Sequence, residues 1–408
     1  MQPLLSVIVP TRNRQQYAAR LAGLVLGMPS ARVELVIYDT SDDDGLGSQL
    51  ESWSGDSRLV YHHTPASGAM ADDFDAALCH ATGEYVCFLG DDDGINPEAV
   101  AVLEWASAEG VDAVWNRPLA DYYWPDVAVH PRLMPFAGNL YVRPFCGGLT
   151  YHDAECEMRR CVRRAAQRYY ETGLPRVYHG FVKRRCLEEV RARTGAYFKG
   201  LSPDVYGALA VANFTTRLCS VDYPLIMGGT SAWSGAGSSS ARKHKGRLED
   251  APLLKGKQDY HWSDVVPRFY SVQTVWADSA LAALREVGRE DLVAEFNLPL
   301  LMALCVSHHP DYLGATLRAF PHTCRALGVA MPYGAAMVLG SALADLTPKL
   351  IRRVRRRLGR APVGPSPAAT ALADAPAALA ALLSHIRASG VSIALSGSAC
   401  VLHTGVAR

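Results

Sequence analysis

The stretch Glu84-Tyr85-Val86-Cys87-Phe88-Leu89-Gly90-Asp91-Asp92-Asp93-Gly94 decides the fold of this chain. Five apolar residues run without polar alternation and then stop in a glycine and three carboxylates. A short, continuous apolar run of this kind predicts a strand buried on both faces. Two similar runs lie upstream. Leu5-Ser6-Val7-Ile8-Val9-Pro10 ends in Thr11-Arg12-Asn13-Arg14, and Val33-Glu34-Leu35-Val36-Ile37-Tyr38 ends in Asp39-Thr40-Ser41-Asp42-Asp43-Asp44. Arg58 to His62 is a further candidate strand. Between the strands, Gln15–Gly27, Met70–Ala81 and Pro97–Ala108 carry apolar residues at helical spacing, and Pro97 suits a first turn. Strands alternating with helices predict an α/β fold with a mainly parallel, Rossmann-like sheet covered on both faces. Ligands of such sheets collect beyond the carboxyl ends of the strands.

Two of the strands deliver acidic clusters to that edge. Neighbouring carboxylates repel one another unless a cation or hydrogen-bond donors offset the charge. Magnesium and manganese take oxygen ligands, commonly one or two carboxylates together with substrate phosphates. The pattern therefore predicts a metal-bridged phosphate ligand, most simply a nucleotide. Asp42 to Asp44 also suits an ordinary solvated turn, whereas Asp91 to Asp93 follow directly from a buried strand. Other phosphate-binding signals are missing: no G-x-G-x-x-G follows the first strand, and no G-x-x-x-x-G-K-[ST] occurs.

Length and charge bound the remaining choices. A chain of 408 residues predicts two or three units, each with its own core. Lys and Arg number 41 against 40 Asp and Glu, which excludes a uniformly basic nucleic-acid coat but leaves room for a local patch. The ten cysteines contain no C-x-x-C pair, so they are expected to be reduced thiols of a cytosolic protein. No targeting signal and no bilayer-spanning run is expected; Ala326 to Leu346 comes nearest and is interrupted by Pro332, Ser341 and Asp345.

The ordered set Ser6-Val7-Ile8-Val9-Pro10-Thr11-Arg12-Asn13-Arg14, a strand ending at Asp39, and Ala81-Thr82-Gly83-Glu84-Tyr85-Val86-Cys87-Phe88-Leu89-Gly90-Asp91-Asp92-Asp93 followed by Pro97-Glu98 resembles family 2 glycosyltransferases of GT-A fold. The resemblance is strong over 3–108 and looser over 109–225. It implies that Pro10, Thr11 and Arg12 line the nucleotide pocket and that Asp39 faces the base or ribose. It implies a D-x-D-type pair in Asp91 and Asp92, with Asp92 and Asp93 holding Mn2+ or Mg2+ and Asp91 facing the ribose or a metal-bound water. The family commonly has an Asp where this chain has Gly90. The family's catalytic base lies about 100 residues further on, at the start of a helix. Ser202-Pro203-Asp204 fits that place, with Asp204 as base and Asp153 and Glu155 as fallback candidates. An acidic residue in a first helical turn is also favoured by the helix dipole alone.

The activity implied is metal-dependent, inverting transfer of a sugar from a nucleotide-diphosphate donor, most commonly a UDP-sugar. The acceptor would be a saccharide or lipid-linked hydroxyl in bacterial surface polysaccharide synthesis. The alternatives are a nucleotidyltransferase, which lacks its Gly-rich loop here, and a non-catalytic sugar-nucleotide-binding protein. No nucleic-acid partner is implied.

Four further segments carry expectations. Trp115, Tyr122, Tyr123 and Trp124 either stack on a sugar or fill the core. Residues 228–260 are Gly/Ser-rich and basic, so a lid over the diphosphate, with Lys243 and His244 touching it, competes with a plain linker after a 1–227 catalytic domain. Residues 261–346 are expected to form a helical C-terminal domain. Residues 347–408 are expected to hold a basic helix end, Ile351 to Arg360, an Ala/Pro-rich flexible linker over Ala361–Ala381, and a tail. Arg352 to Arg360 suits an anionic membrane surface or plain solvation, which places the protein in the cytoplasm or peripherally on the inner membrane face.

Overall fold

The computed structural model describes residues 2–65, 69–234, 245–254, 257, 260–357, 366–395 and 400–402. Strand β1 (Leu5–Thr11) pairs in parallel with β2 (Val33–Asp39), which pairs in parallel with β3 (Leu59–His63). On its other side β1 pairs in parallel with β4 (Tyr85–Phe88). The short β5 (Gly94–Ile95) follows. β6 (Ala113–Asn116), β9 (Leu149–His152), β10 (Gly180–Lys183) and β11 (Leu218–Val221) complete the large sheet with Cys400–Leu402. Its order is Cys400–Leu402, β9, β11, β6, β10, β4, β1, β2, β3. β10 runs antiparallel between β4 and β6, and β9 runs antiparallel to β11; the other pairings are parallel. A second sheet of four strands places β12 (Ile226–Thr230) between β5 and β7 (Ala120–Tyr123), with β8 (Leu140–Val142) at its edge. The chain is thus an α/β protein with a mainly parallel central sheet.

Successive strand side chains point to opposite faces, and both faces are covered. Ile8, Val36, Val86 and Phe88 enter one core with Phe74, Phe198 and the helix Pro203–Ala212. Val7, Val9, Leu35, Ile37, Tyr85 and Cys87 enter the other with the helices Gln15–Leu26 and Ala99–Ala108. Each buried Val, Leu, Ile or Phe side chain contributes about 1.5–3 kcal/mol. Near-continuous apolar strands are therefore the stable reading of these sequences.

The C-terminal helices Val272–Glu286, Glu290–Ala294, Leu298–His308, Leu313–Ala326 and Met331–Arg357 match the expected helical region in kind. Leu281 and Leu284 share one apolar core with Val205 and Tyr206 of the sheet-covering helix, so the helical region is packed onto that helix. Two expectations need correction. β12 runs across the expected boundary at 227/228, because Met227 and Gly228 pair with Ala120 and Asp121. The Ala/Pro-rich stretch is only partly a linker. Ala375–Ser389 is a helix whose Ala378, Leu379, Leu382 and Ile386 are buried against the sheet-side core. Asp374 accepts the Ala377 N–H at its N-terminus and pairs with Arg20 at 3.4 Å. Composition suggested a spacer, but the one-face spacing of the larger apolar residues decides the matter.

Candidate functional site

Register brings three chain segments to the carboxyl edge of the sheet. Thr11 lies opposite Asp39 where β1 meets β2, and the Thr40 N–H donates to the Thr11 carbonyl at 2.9 Å. The Leu89 N–H donates to the Ile8 carbonyl at 3.0 Å, which continues the β1–β4 pairing to the brink of the acidic triplet. Asp39 is fully buried. It accepts from the Ser41 N–H at 2.9 Å and the Tyr61 hydroxyl at 3.1 Å.

Asp91, Asp92 and Asp93 are all buried, at 5%, 4% and 1% exposure, so each needs compensation from the protein. Asp91 receives the Thr11 hydroxyl at 2.6 Å and the Arg14 Nε at 2.7 and 2.9 Å on its two oxygens. Arg14 Nη2 lies 2.6 Å from Asp91 and 3.1 Å from Asp92, bridging the pair, and donates to the Ser231 hydroxyl at 2.8 Å. Burial pulls the Arg14 guanidinium down, but Asp91 and Asp92 more than offset this and hold it above its ordinary range. Asp92 Oδ2 also accepts the Ser231 N–H at 3.0 Å and its hydroxyl at 2.5 Å. Burial and the charges of Asp93 and Asp91 push the Asp92 carboxyl up to about 7, against the pull of Arg14 and Ser231.

Asp93 has four protein partners. Oδ1 accepts the Gly229 N–H at 2.7 Å; Oδ2 accepts the Gly90 N–H at 2.6 Å and the Tyr178 hydroxyl at 3.1 Å, and lies 2.6 Å from His179 Nε2. Burial, then Asp93, hold the Tyr178 hydroxyl well above its ordinary range, so it stays a donor. Close approach explains two glycines. A Cβ on Gly229 would fall 1.8 Å from the Asp92 carbonyl oxygen, and one on Gly90 would fall 2.7 Å from the Tyr178 hydroxyl.

The family model described as "Glycosyl transferase family 2" matches residues 6–144. This range holds β1, β2, β4 and the acidic triplet together. This segment is similar to the family 2 glycosyltransferases. The Escherichia coli K12 protein named "Putative colanic acid biosynthesis glycosyl transferase WcaA" is 32% identical over 104 residues, which is 25% of this chain and 37% of that protein. The Salmonella typhimurium LT2 "Abequosyltransferase RfbV" is 24% identical over 105 residues, 25% of this chain and 32% of that protein. The chain thus spans about a third of the length of these curated relatives. Among solved structures, S. aureus TarS 1–349 in complex with UDP-GlcNAc aligns over 84% of this chain and 89% of its own, at 14% identity and a TM-score of 0.47.

The sequence-predicted residues fall into three groups. Thr11, Asp91, Asp92 and Asp93 converge, with Asp39 beside Thr11 at the same edge. Pro10 precedes Thr11 on β1, opposite Tyr38. Arg12 turns outward to Asp42 at 3.4 Å, with Arg12 and Asp42 exposed at 38% and 70%, a pairing of little energetic weight. Asp204 stands at the first turn of Pro203–Ala212, as expected, but its partners are local. The Tyr169 hydroxyl donates to it at 2.7 Å, and the Ser202 hydroxyl donates to its other oxygen. Of the fallback candidates, Asp153 caps the helix Ala154–Val162 through Cys156 N–H, and Glu155 pairs with Arg159 and Arg289. Lys243 and His244 lie outside the described residues.

The carboxylates differ in their fitness for a divalent cation. Asp92 Oδ1 accepts no hydrogen bond among the described residues and is the donor left over. Asp93 Oδ2 already has three protein partners, whereas Oδ1 has one. Among the described residues no three His, Cys, Asp or Glu side chains form a ready metal-holding group. The set fits a one-carboxylate magnesium or manganese site completed by substrate phosphate.

The aromatic expectation is mostly resolved toward packing. Trp115, Tyr122 and Trp124 are buried, and Trp124 Nε1 donates to the Asp92 carbonyl at 2.9 Å. Sequence reasoning missed Arg14, Tyr178, His179 and Ser231. Arg14 had the one available signal, a basic residue four positions after Pro10 at the strand edge that carries the acids. In the expected lid, Ser231 is fully buried on Asp92, so that part is a wall of the site.

Proposed function

We propose that this chain transfers a sugar from a nucleotide-diphosphate donor to an acceptor hydroxyl, with inversion at the anomeric carbon and in a divalent-metal-dependent manner. The observation that carries the reading is the convergence of Thr11, Arg14 and three buried carboxylates at the β1/β4 carboxyl edge of a segment similar to the family 2 glycosyltransferases. Asp39, at the same edge, suits the base or ribose. Arg14 Nη1 is buried without a hydrogen-bond partner among the described residues, which suits it to an anionic oxygen of the donor.

Asp92 would hold Mn2+ or Mg2+, which when bound would neutralise charge on the leaving diphosphate. The acceptor oxygen forms the new bond to the anomeric carbon as the bond from that carbon to the diphosphate oxygen breaks. Asp204 takes the hydroxyl proton. Tyr169 and Ser202 fix the orientation of its carboxylate. The acceptor is a saccharide or lipid-linked hydroxyl in bacterial surface polysaccharide synthesis; relatives named for colanic acid biosynthesis and for abequosyl transfer support the link to polysaccharide synthesis. A UDP-sugar is the first donor to test.

Incubating the full chain with a panel of UDP-, GDP- and dTDP-sugars, with Mn2+ or EDTA, tests this reading. Expected are metal-dependent release of nucleoside diphosphate and a product of inverted anomeric configuration. A retained configuration would sink the single-displacement step, and turnover undiminished in EDTA would sink the metal.

A further inference from the structure

The helices Leu313–Ala326 and Met331–Arg357 lie far along the chain from the family 2 residues and turn a strongly apolar face outward. Their apolar parts, Pro310–Ala326 and Met331–Thr347, meet at a bend of 110°. Leu339, Leu343 and Leu346 recur at the spacing of one helix face and are 62%, 59% and 49% exposed; Tyr333 and Leu317 are 62% and 59% exposed on the same pair. An apolar cavity of about 300 Å3, lined by Val306, Leu317, Phe320, Val338 and Leu339 among others, opens where the two helices meet Leu298–His308. The pair has a fixed shape. A Cβ on Gly334 would fall 2.5 Å from Cys324 Sγ, so the long helix is seated tightly on its neighbour.

Contiguous exposed leucines of this kind mark an interaction face. Charge says which kind. The helix backbone continues unbroken to Arg357. Its sequence brings in Lys349, Arg352, Arg353, Arg355, Arg356 and Arg357 against the single acid Asp345. An apolar stripe that runs into a dense cationic end is the pattern of a helix lying in a membrane interface, leucines among acyl chains and arginines among anionic headgroups. No single helix among the described residues is long and apolar enough to cross a membrane. Nucleic acid would use the arginines and leave the leucines in water. A second copy of the chain would use the leucines but would gain nothing from six like charges.

We propose that the outer face of Leu313–Ala326 and Met331–Arg357 docks on an anionic lipid bilayer. This goes beyond the transfer reaction and is tested without any turnover measurement. The full chain is sedimented with phosphatidylcholine vesicles with and without phosphatidylglycerol, at low and high salt. Two variants accompany it: Leu339→Asp/Leu343→Asp, and Arg352→Gln/Arg353→Gln/Arg355→Gln/Arg356→Gln. Circular dichroism and light scattering follow each protein. The expected result is binding to the phosphatidylglycerol vesicles that weakens about tenfold or more in each variant, in high salt, and on phosphatidylcholine alone. Equal binding to both vesicle types, or binding unaffected by the leucine variant, overturns the proposal. So does a dimer that the leucine variant splits while no vesicle binds, because the face then belongs to a second copy. The arginine variant leaves the leucines and the cavity-lining residues unchanged and keeps the test decisive if the leucine variant misfolds.

Discussion

Arg14 grips Asp91 with its Nε on both carboxylate oxygens, at 2.7 and 2.9 Å, across 77 positions of sequence. The same guanidinium reaches Asp92 at 3.1 Å. It is therefore the protein's own counter-charge to an acidic triplet that is almost wholly excluded from water. Removing one partner of a buried ion pair leaves the other uncompensated, at a cost of about 3–5 kcal/mol. Arg14→Ala should lower stability by about 3 kcal/mol in EDTA at neutral pH, and Mn2+ should recover part of the loss by binding the bared carboxylates. Denaturant unfolding with and without Mn2+ checks this. An unchanged midpoint in EDTA would show that the carboxylates need no cation.

Gly229 and Gly228 are adjacent on β12 but should respond oppositely to a methyl group. A Cβ at Gly229 would meet the Asp92 carbonyl oxygen at 1.8 Å, whereas at Gly228 nothing lies closer than 3.7 Å. Gly229→Ala forces β12 away from the acidic loop and pulls its N–H off Asp93. It should cost about 1–3 kcal/mol and weaken nucleotide-sugar binding. Gly228→Ala should leave both within experimental error. Calorimetric titration with UDP and thermal unfolding of the two variants separate the cases. Equal behaviour would mean that the strand is not held against the triplet.

Asp278 offers a pH test away from the site. It is buried in the helix Val272–Glu286, accepting the Tyr260 hydroxyl at 2.6 Å and the Ser263 N–H at 2.9 Å. Burial pushes its carboxyl up to about 6, although both hydrogen bonds pull the other way. The folded state therefore holds this proton more tightly than the unfolded chain, whose aspartates titrate near 4. Its contribution to stability is fully present below about pH 4 and is lost as pH rises to about 6, a swing of about 3 kcal/mol. Asp278→Asn keeps a donor and an acceptor in place and carries no charge. It should flatten the stability profile between those pH values and stabilise the protein at pH 7. Parallel pH profiles for the two proteins would refute the assignment.

The legible parts of this chain were local ones. Buried strands announce themselves as apolar runs, and the residues that end them fall at the ligand edge by topology, so Thr11, Asp39 and Asp91 to Asp93 could be placed from sequence. What answers their charge could not. Arg14, His179 and Ser231 stand 77, 86 and 139 positions from the aspartates they meet, and no periodicity links them. The partners of Asp93 were hidden for the same reason: they come from β12, the segment before β10 and its own turn. Ala375–Ser389 was hidden differently. Its alanines and prolines resemble a spacer, although the spacing of Leu379, Leu382 and Ile386 already marks one helix face.

Asp204 remains the residue on which the proposed chemistry most directly turns. A carboxylate in the first turn of a helix is favoured by the helix dipole, so its presence alone proves nothing about a reaction. Its surroundings give a sharper test, because Tyr169 is half-buried, holds its proton well above the ordinary range, and donates to Asp204 at 2.7 Å. If Asp204 removes the acceptor proton, Asp204→Asn should lower kcat by about 10²–10⁴-fold with little change in the donor KM, since the amide keeps the shape but cannot take a proton. Tyr169→Phe leaves the carboxylate in place and frees its orientation, so it should give a smaller fall in kcat. Initial rates with the donor identified in the nucleotide-sugar panel measure both. If Asp204→Asn keeps wild-type kcat while losing stability, Asp204 is a helix-start residue and the base lies elsewhere on the edge of the sheet.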